Sequence, residues 1–252
     1  MNNPTEIANN YITAAQAKTT NPWYKILYLA VFAGAFIALA GALATVAGAY
    51  AGSNAILIKG AVFPLGLMLV VLCGAELFTG NCLLVAPLLN KEIKLKGMLK
   101  NWGLAYIGNF IGAIIIALLV VYSNTYGGNI GVAAVATVVT KSELNFGVAL
   151  LKGILCNMLV CLAVWMAFVT KSAAGKMLAV YMPVFAFVVC GFEHSIANMF
   201  YIMSAVMVDG GAFNFGFAIL NGLLAPTLGN IIGGALIAVA FWAVYYKRKQ
   251  NA

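Results

Sequence analysis

A chain of 252 residues that is 64% hydrophobic and only 8% charged is not an ordinary soluble domain, in which roughly 25% of residues carry charge. Its mean hydropathy of +1.00 reflects several apolar runs longer than the roughly 18 residues that mark a membrane-spanning helix, and a β-barrel is excluded because its strands would alternate over about ten residues at a time. The net charge of +8 does not call for nucleic acid, because the basic residues sort by topology.

The first 22 residues are polar and do not read as a cleavable signal peptide. They carry a helix signal instead: Asn3 as N-cap, Pro4 in the first turn, then Ile7, Tyr11 and Ile12 on one face. The expectation is an amphipathic helix lying on the membrane surface.

Six spans follow, near residues 26–50, 62–89, 102–122, 146–168, 177–208 and 213–246. Trp23, Tyr24, Tyr50, Trp102, Tyr122, Trp242, Tyr245 and Tyr246 fall at their ends, where interfacial aromatics belong. Lys18, Lys25, Lys91, Lys94, Lys96, Lys100, Lys171, Lys176, Lys247, Arg248 and Lys249 fall on one side; Lys59 and Lys141 fall on the other. The positive-inside rule then places both termini in the cytoplasm, with the protein in the cytoplasmic (inner) membrane. Cys73, Cys82, Cys156, Cys161 and Cys190 all lie in apolar segments without metal-ligand spacing and read as packing residues.

Two motifs recur. GAELFTGN (residues 74–81) in the second span and GFEHSIAN (191–198) in the fifth share the pattern G-x-E-x-x-x-x-N. GNFIGA (108–113) in the third span matches GNIIGG (229–234) in the sixth, and the two offsets are 117 and 121 residues. Each half therefore holds three spans, and an odd number forces the second half to enter the membrane inverted. The expected fold is an all-α membrane domain over residues 1–252. It comprises the amphipathic helix (1–22), a first three-span repeat (26–122) and a second (146–246) with opposite orientation.

Each half also interrupts one long span with polar residues: Glu76, Thr79 and Asn81 in the first, Glu193, His194, Ser195 and Asn198 in the second. Irregular backbone at membrane depth survives only where protein or water satisfies it. The second and fifth helices should thus be broken, with the breaks facing each other. Glu76, Asn81, Glu193 and Asn198 read first as support for those breaks. His194, the only histidine in the chain, reads as a pathway residue, since intramembrane ionisable groups usually mark one; a satisfied packing residue is the alternative. The GN-x-x-G motifs read as close helix packing.

At GAELFTGN, KNW (100–102), GILCNMLVCLAVW (153–165), GFEHSIANM and GNIIGG, the chain resembles the formate/nitrite transporter family. The resemblance implies an aquaporin-like, six-span protomer in a homopentamer, embedded in membrane lipid, each protomer with its own pore for a small monovalent anion. Carried over by motif, Thr79 faces the pore histidine His194, and Phe63, Leu67, Leu77, Phe78 and Phe187 match the hydrophobic constrictions. Asn157 matches a polar residue near the pore, and Lys141 a vestibule lysine. Lys152 is outside this shared set and reads as a packing or snorkelling lysine.

Physical chemistry favours the same reading. Moving a bare carboxylate-sized ion into low dielectric costs on the order of 20 kcal/mol. Protonating an acid whose pKa lies about three units below neutral pH costs only about 4 kcal/mol. The expected mechanism is attraction of the anion by Lys141 and half-helix N-termini, protonation near Thr79 and His194, and crossing as the neutral acid, with protons as co-substrate. The proton's source, His194 or vestibule water, stays open. Formate is the first choice of substrate, by family frequency; nitrite and hydrosulfide fit the same pore. An aquaporin-like channel for neutral solutes would more naturally show Asn-Pro-Ala repeats and a pore arginine, whereas the only arginine here is Arg248. Nothing suggests an enzyme, a cofactor or a metal centre.

Overall fold

The computed structural model describes residues 1–209 and 213–246. Lys247, Arg248 and Lys249, part of the basic pattern above, lie outside them. Among the described residues, five helical segments are long and apolar enough to span a membrane: Trp23–Tyr50, Gly52–Cys73, Leu95–Tyr122, Phe146–Ala167 and Phe215–Tyr245. The expected fifth span is divided into two shorter helices, Ala173–Val189 and Ser195–Asp209. The second span is likewise divided, since Gly52–Cys73 is followed by the short apolar helix Phe78–Leu89.

In chain order the helices are α1 (Pro4–Thr20), α2 (Trp23–Tyr50), α3 (Ala55–Val62), α4 (Leu65–Cys73), α5 (Phe78–Asn81), α6 (Val85–Leu89), α7 (Leu95–Tyr122) and α8 (Asn129–Ser142). The second half continues with α9 (Phe146–Ala167), α10 (Ala173–Val189), α11 (Ser195–Asp209), α12 (Phe215–Ile219) and α13 (Ala225–Tyr245). The outer helices of each half pack intimately, α2 on α7 and α9 on α13. Small residues permit this: a Cβ on Gly112 would strike the Val31 carbonyl, and one on Gly233 the Ile154 carbonyl. The half-helices cross between halves, with α11 packing on α7 and α5 on α9, so neither half is complete without the other.

Helix α1 starts as its sequence dictates, with Asn3 and Glu6 forming a reciprocal capping box and Pro4 in the first turn. Its environment differs from the expectation. Ile7, Ala8, Tyr11 and Ala15 are buried, Tyr11 meets Phe168 edge-on at 5.6 Å, and Asn2 bonds to the Val169 and Phe168 carbonyls. Protein, and not lipid, covers its apolar face. Helix α8 occupies the connection between the halves, and packs on α11. The cysteines also divide: Cys82, Cys156 and Cys161 are buried, whereas Cys73 and Cys190 are exposed on the protomer.

Candidate functional site

The two helix breaks are built alike. Helix α4 ends at Gly74 (φ 68°) and α10 at Gly191 (φ 64°), a left-handed conformation that glycine adopts without steric cost. The next amides bond back over the last turn, Ala75 N to Val70 O at 2.9 Å and Phe192 N to Phe187 O at 3.0 Å. The glutamate amides then donate to a neighbouring helix, Glu76 to Leu29 O and Glu193 to Lys152 O. The chain restarts as a helix within two residues of each glutamate.

Asn109 and Asn230, from the GN-x-x-G motifs, pin these breaks. The Asn109 amide donates to the Ala30 and Glu76 carbonyls, and its oxygen accepts from Phe78 N at 3.0 Å. Asn230 donates to the Gly153 and Glu193 carbonyls and accepts from Ser195 N at 2.9 Å. Both are fully buried. Reading the motifs as glycine packing missed this role. The available signal was that each asparagine repeats at nearly the same offset as the breaks.

The glutamates hold the opposite ends of the breaks. Glu76 Oε2 accepts from Asn81 at 2.6 Å and Asn101 at 3.2 Å, and pairs with Lys18 at 3.1 Å. Glu193 Oε2 accepts from Asn198 at 2.7 Å and pairs with Lys141 at 2.7 Å. The halves differ in one partner. Asn81 finds the Asn101 side-chain oxygen at 2.8 Å, whereas Asn198 finds the Gly222 backbone carbonyl at 2.7 Å. Gly222 lies in a π-helical turn, Leu220–Leu224. Such a turn breaks the α-helical hydrogen-bond register, and here a carbonyl within it meets a side-chain donor. Lys18 and Asn101 belong to this machinery; in the sequence Asn101 falls in the KNW motif and Lys18 in the basic pattern, and neither position signals this role.

Between the breaks, Thr79 Oγ1 lies 2.9 Å from His194 Nε2. His194 Nδ1 accepts the Ala197 amide at 3.1 Å, as an N-cap acceptor for α11. Because Nδ1 accepts, the network assigns the proton to Nε2, which donates to Thr79. That leaves the threonine hydroxyl free to donate elsewhere. Phe187 stacks on the His194 ring at 5.8 Å and 16°, and Phe63 meets Phe187 edge-on at 5.9 Å.

A cavity opens on each side of this pair. The α1-side cavity, about 430 Å³, is lined by Leu67, Leu77, Glu76, Lys18, Lys25 and Lys176 among others. Tyr11 also lines it; burial, with nearby thiols, Tyr246 and Glu76 adding to it, holds its phenol well above the usual value, so it brings no charge. The α8-side cavity, about 220 Å³, includes Phe63, Phe187, His194, Lys59, Lys141 and Glu193 in its wall. Thr79 lines neither cavity and is fully buried between them. Phe78 also lines neither; its ring packs edge-on against Trp102 and Tyr106, at 6.1 and 5.0 Å. Asn157 sits behind Thr79, donating to its carbonyl at 3.1 Å and to the Asn230 carbonyl at 2.6 Å. Among the described residues, no group of three or more His, Cys, Asp or Glu could hold a metal ion.

The geometry is therefore two cavities with a surplus of lysine, one lined by Leu67 and Leu77 and the other by Phe63 and Phe187, with one buried hydroxyl–imidazole contact beside them. It matches known transport proteins along almost its whole length. The chain is 38% identical to a probable formate transporter of Methanothermobacter thermautotrophicus, covering 97% of each chain. It is 36% identical to the formate channel FocA of Escherichia coli K12, over 98% of this chain and 96% of that one. A solved pentameric formate channel with formate bound superposes with a TM-score of 0.80 at 34% identity, covering 89% of this chain and 98% of that one. The family profile described as formate/nitrite transporter matches residues 5–245. This chain, an integral membrane protein with an aquaporin-like helical fold, belongs to the formate/nitrite transporter family of channels and transporters.

Proposed function

We propose that this protein moves formate across the cytoplasmic membrane together with a proton, as formic acid through the central constriction. The observation that carries the reading is the Thr79–His194 contact at 2.9 Å, placed between two lysine-bearing cavities and flanked by apolar side chains. The cavities attract an anion, and the N-termini of α11 and of the run from Phe78 add positive potential at the centre. The apolar closure admits the ion only after its charge is removed.

The hydrogen bonds suggest a route for that proton. Thr79 receives the His194 Nε2 proton and can turn its own hydroxyl hydrogen toward an arriving carboxylate. When Thr79 gives that hydrogen to formate, the Nε2 proton replaces it. As Nε2 gives up its proton, one from cavity water enters at Nδ1, displacing the Ala197 amide, so the ring stays neutral; the starting tautomer returns when Nδ1 releases its proton to water and Nε2 takes one up. The net event is one anion and one proton carried together.

The α1-side cavity faces the cytoplasm in this reading, with both termini inside, because most lysines lie on that side. The protomers assemble as a homopentamer; exposed apolar residues on several helices need lipid or neighbouring copies, and the solved relative is pentameric. Formate is supported by the names of the relatives. Flux of formate, nitrite, hydrosulfide and glycerol into proteoliposomes tests the reading. Formate uptake accelerated by an inward proton gradient is expected. Glycerol passage without formate uptake would overturn it in favour of a neutral-solute channel.

A further inference from the structure

The α8-side cavity holds two lysines that are not equivalent. Lys141 Nζ sits 2.7 Å from Glu193 Oε2 and 5.8 Å from the centre of the Tyr201 ring, so an adjacent carboxylate offsets its charge. Lys59, on α3, lines the same cavity and has no hydrogen-bond or ion-pair partner among the described residues. Its half-buried side chain is held in place, since its methylenes lie over Gly48 of α2, where a Cβ would strike them. It stands one helical turn before Phe63, the ring that meets Phe187 above His194. The charged groups facing this cavity are Lys59, Lys141 and Glu193, beside His194. With the imidazole neutral, their sum is the charge of one lysine.

We propose that Lys59, and not the paired Lys141, supplies the net positive potential that draws a small monovalent anion into the α8-side cavity and hands it to the Phe63–Phe187 constriction. The proposal rests on the anion-transport reading above. Physically, an unpaired cation on a low-dielectric wall focuses potential into the cleft, whereas a close ion pair presents little beyond a dipole. The α1-side cavity has Lys25 and Lys176 as well as the Lys18–Glu76 pair. Entry from the α8 side thus depends on one residue, and entry from the α1 side does not.

A thiol probe reads the potential without reference to the transported ion. Thr137, in the wall of the same cavity, is replaced by Cys in the full-length channel after Cys73→Ser and Cys190→Ser. Rates of modification by a sulfonate-bearing and a trimethylammonium-bearing methanethiosulfonate are then compared in liposomes. With Lys59 present the anionic reagent is favoured. Lys59→Met keeps the stem over Gly48 and removes the charge, and the anionic-to-cationic rate ratio should fall about tenfold. Lys59→Arg should hold it within about twofold, since guanidinium keeps the charge. In the native-cysteine channel, Lys59→Met should raise the KM for formate entering from the α8 side at low salt several-fold and leave entry from the α1 side unchanged. An unchanged thiol ratio in folded Lys59→Met overturns the proposal. Absence of formate flux in the wild-type channel would overturn the substrate reading alone, because the thiol ratio still decides the role of Lys59.

Discussion

Lys18 and Lys141 occupy equivalent places in the two halves of the molecule: each lies near the end of a helix preceding its half, and each grips the glutamate of one break, Glu76 at 3.1 Å and Glu193 at 2.7 Å. The inverted repeat is therefore four helical elements long, with α1 corresponding to α8, and each terminal helix is tied by charge to the pathway it flanks. A charged hydrogen bond in such a partly buried site is worth about 2 kcal/mol. Glu76→Gln and Glu193→Gln should each lower the thermal midpoint of the detergent-solubilised protein, because a lysine then loses its counter-ion while the asparagine contacts persist. Stability equal to wild type in both variants would show that the pairs only decorate the vestibules.

Asn109 and Asn230 set a sharper demand. Each satisfies three backbone groups, two at a break and one on the neighbouring long helix, and each buried group left unpaired costs about 1–3 kcal/mol. Asn230→Ala should sharply reduce the yield of folded protein. Asn230→Asp should fare no better, since a carboxylate cannot donate to the Gly153 and Glu193 carbonyls. Fluorescence-detected size-exclusion chromatography with a heating step measures this. Wild-type midpoints in both variants would mean that water replaces the side chain.

The aromatic and aliphatic residues at the constriction separate into two groups. Phe187→Ala and Leu77→Ala should widen the channel and admit larger anions, because each lines a cavity beside the closure. Phe78→Ala should instead destabilise the protein by about 3–5 kcal/mol, the cost of emptying a packed aromatic site, with selectivity retained. Flux of formate against lactate, normalised to inserted protein, distinguishes them. Widened selectivity in the Phe78 variant would place that ring in the pathway.

How much of this was legible in the sequence varies from residue to residue. The breaks were visible because Glu76 and Glu193 are anomalous in apolar runs, where a charge has a high solvation cost. Asn109 and Asn230 carried the same kind of anomaly, but the adjacent glycines offered a sufficient packing explanation, and nothing local tells an asparagine that caps a distant loop from one that packs. Helix α8 was missed because it is short and rich in valine and threonine, and it owes its place to packing on α11. The π-turn at Leu220–Leu224 depends on hydrogen-bond register, which apolar periodicity does not encode. The inequality of Lys59 and Lys141 required knowing which lysine reaches Glu193, a distance across 52 residues of chain.

His194 provides the test of proton coupling. Its Nδ1 caps α11 through the Ala197 amide, so its loss would ordinarily confuse folding with function. Asparagine is itself a favoured N-cap whose side-chain oxygen accepts the same kind of amide bond. His194→Asn should therefore keep the half-helix anchored while removing the imidazole that passes a proton to Thr79. Wild-type formate uptake, after subtraction of leak through protein-free liposomes, should rise as the external pH falls, because each anion needs a proton at the Thr79–His194 pair. In the Asn variant the profile should be flat, with uptake either blocked or carried by the bare ion and so sensitive to membrane potential. If His194 serves only as a cap and a partner for Thr79, the variant keeps the wild-type pH profile per folded channel. That result would sink the relay through Thr79 and leave protonation to water in the cavities.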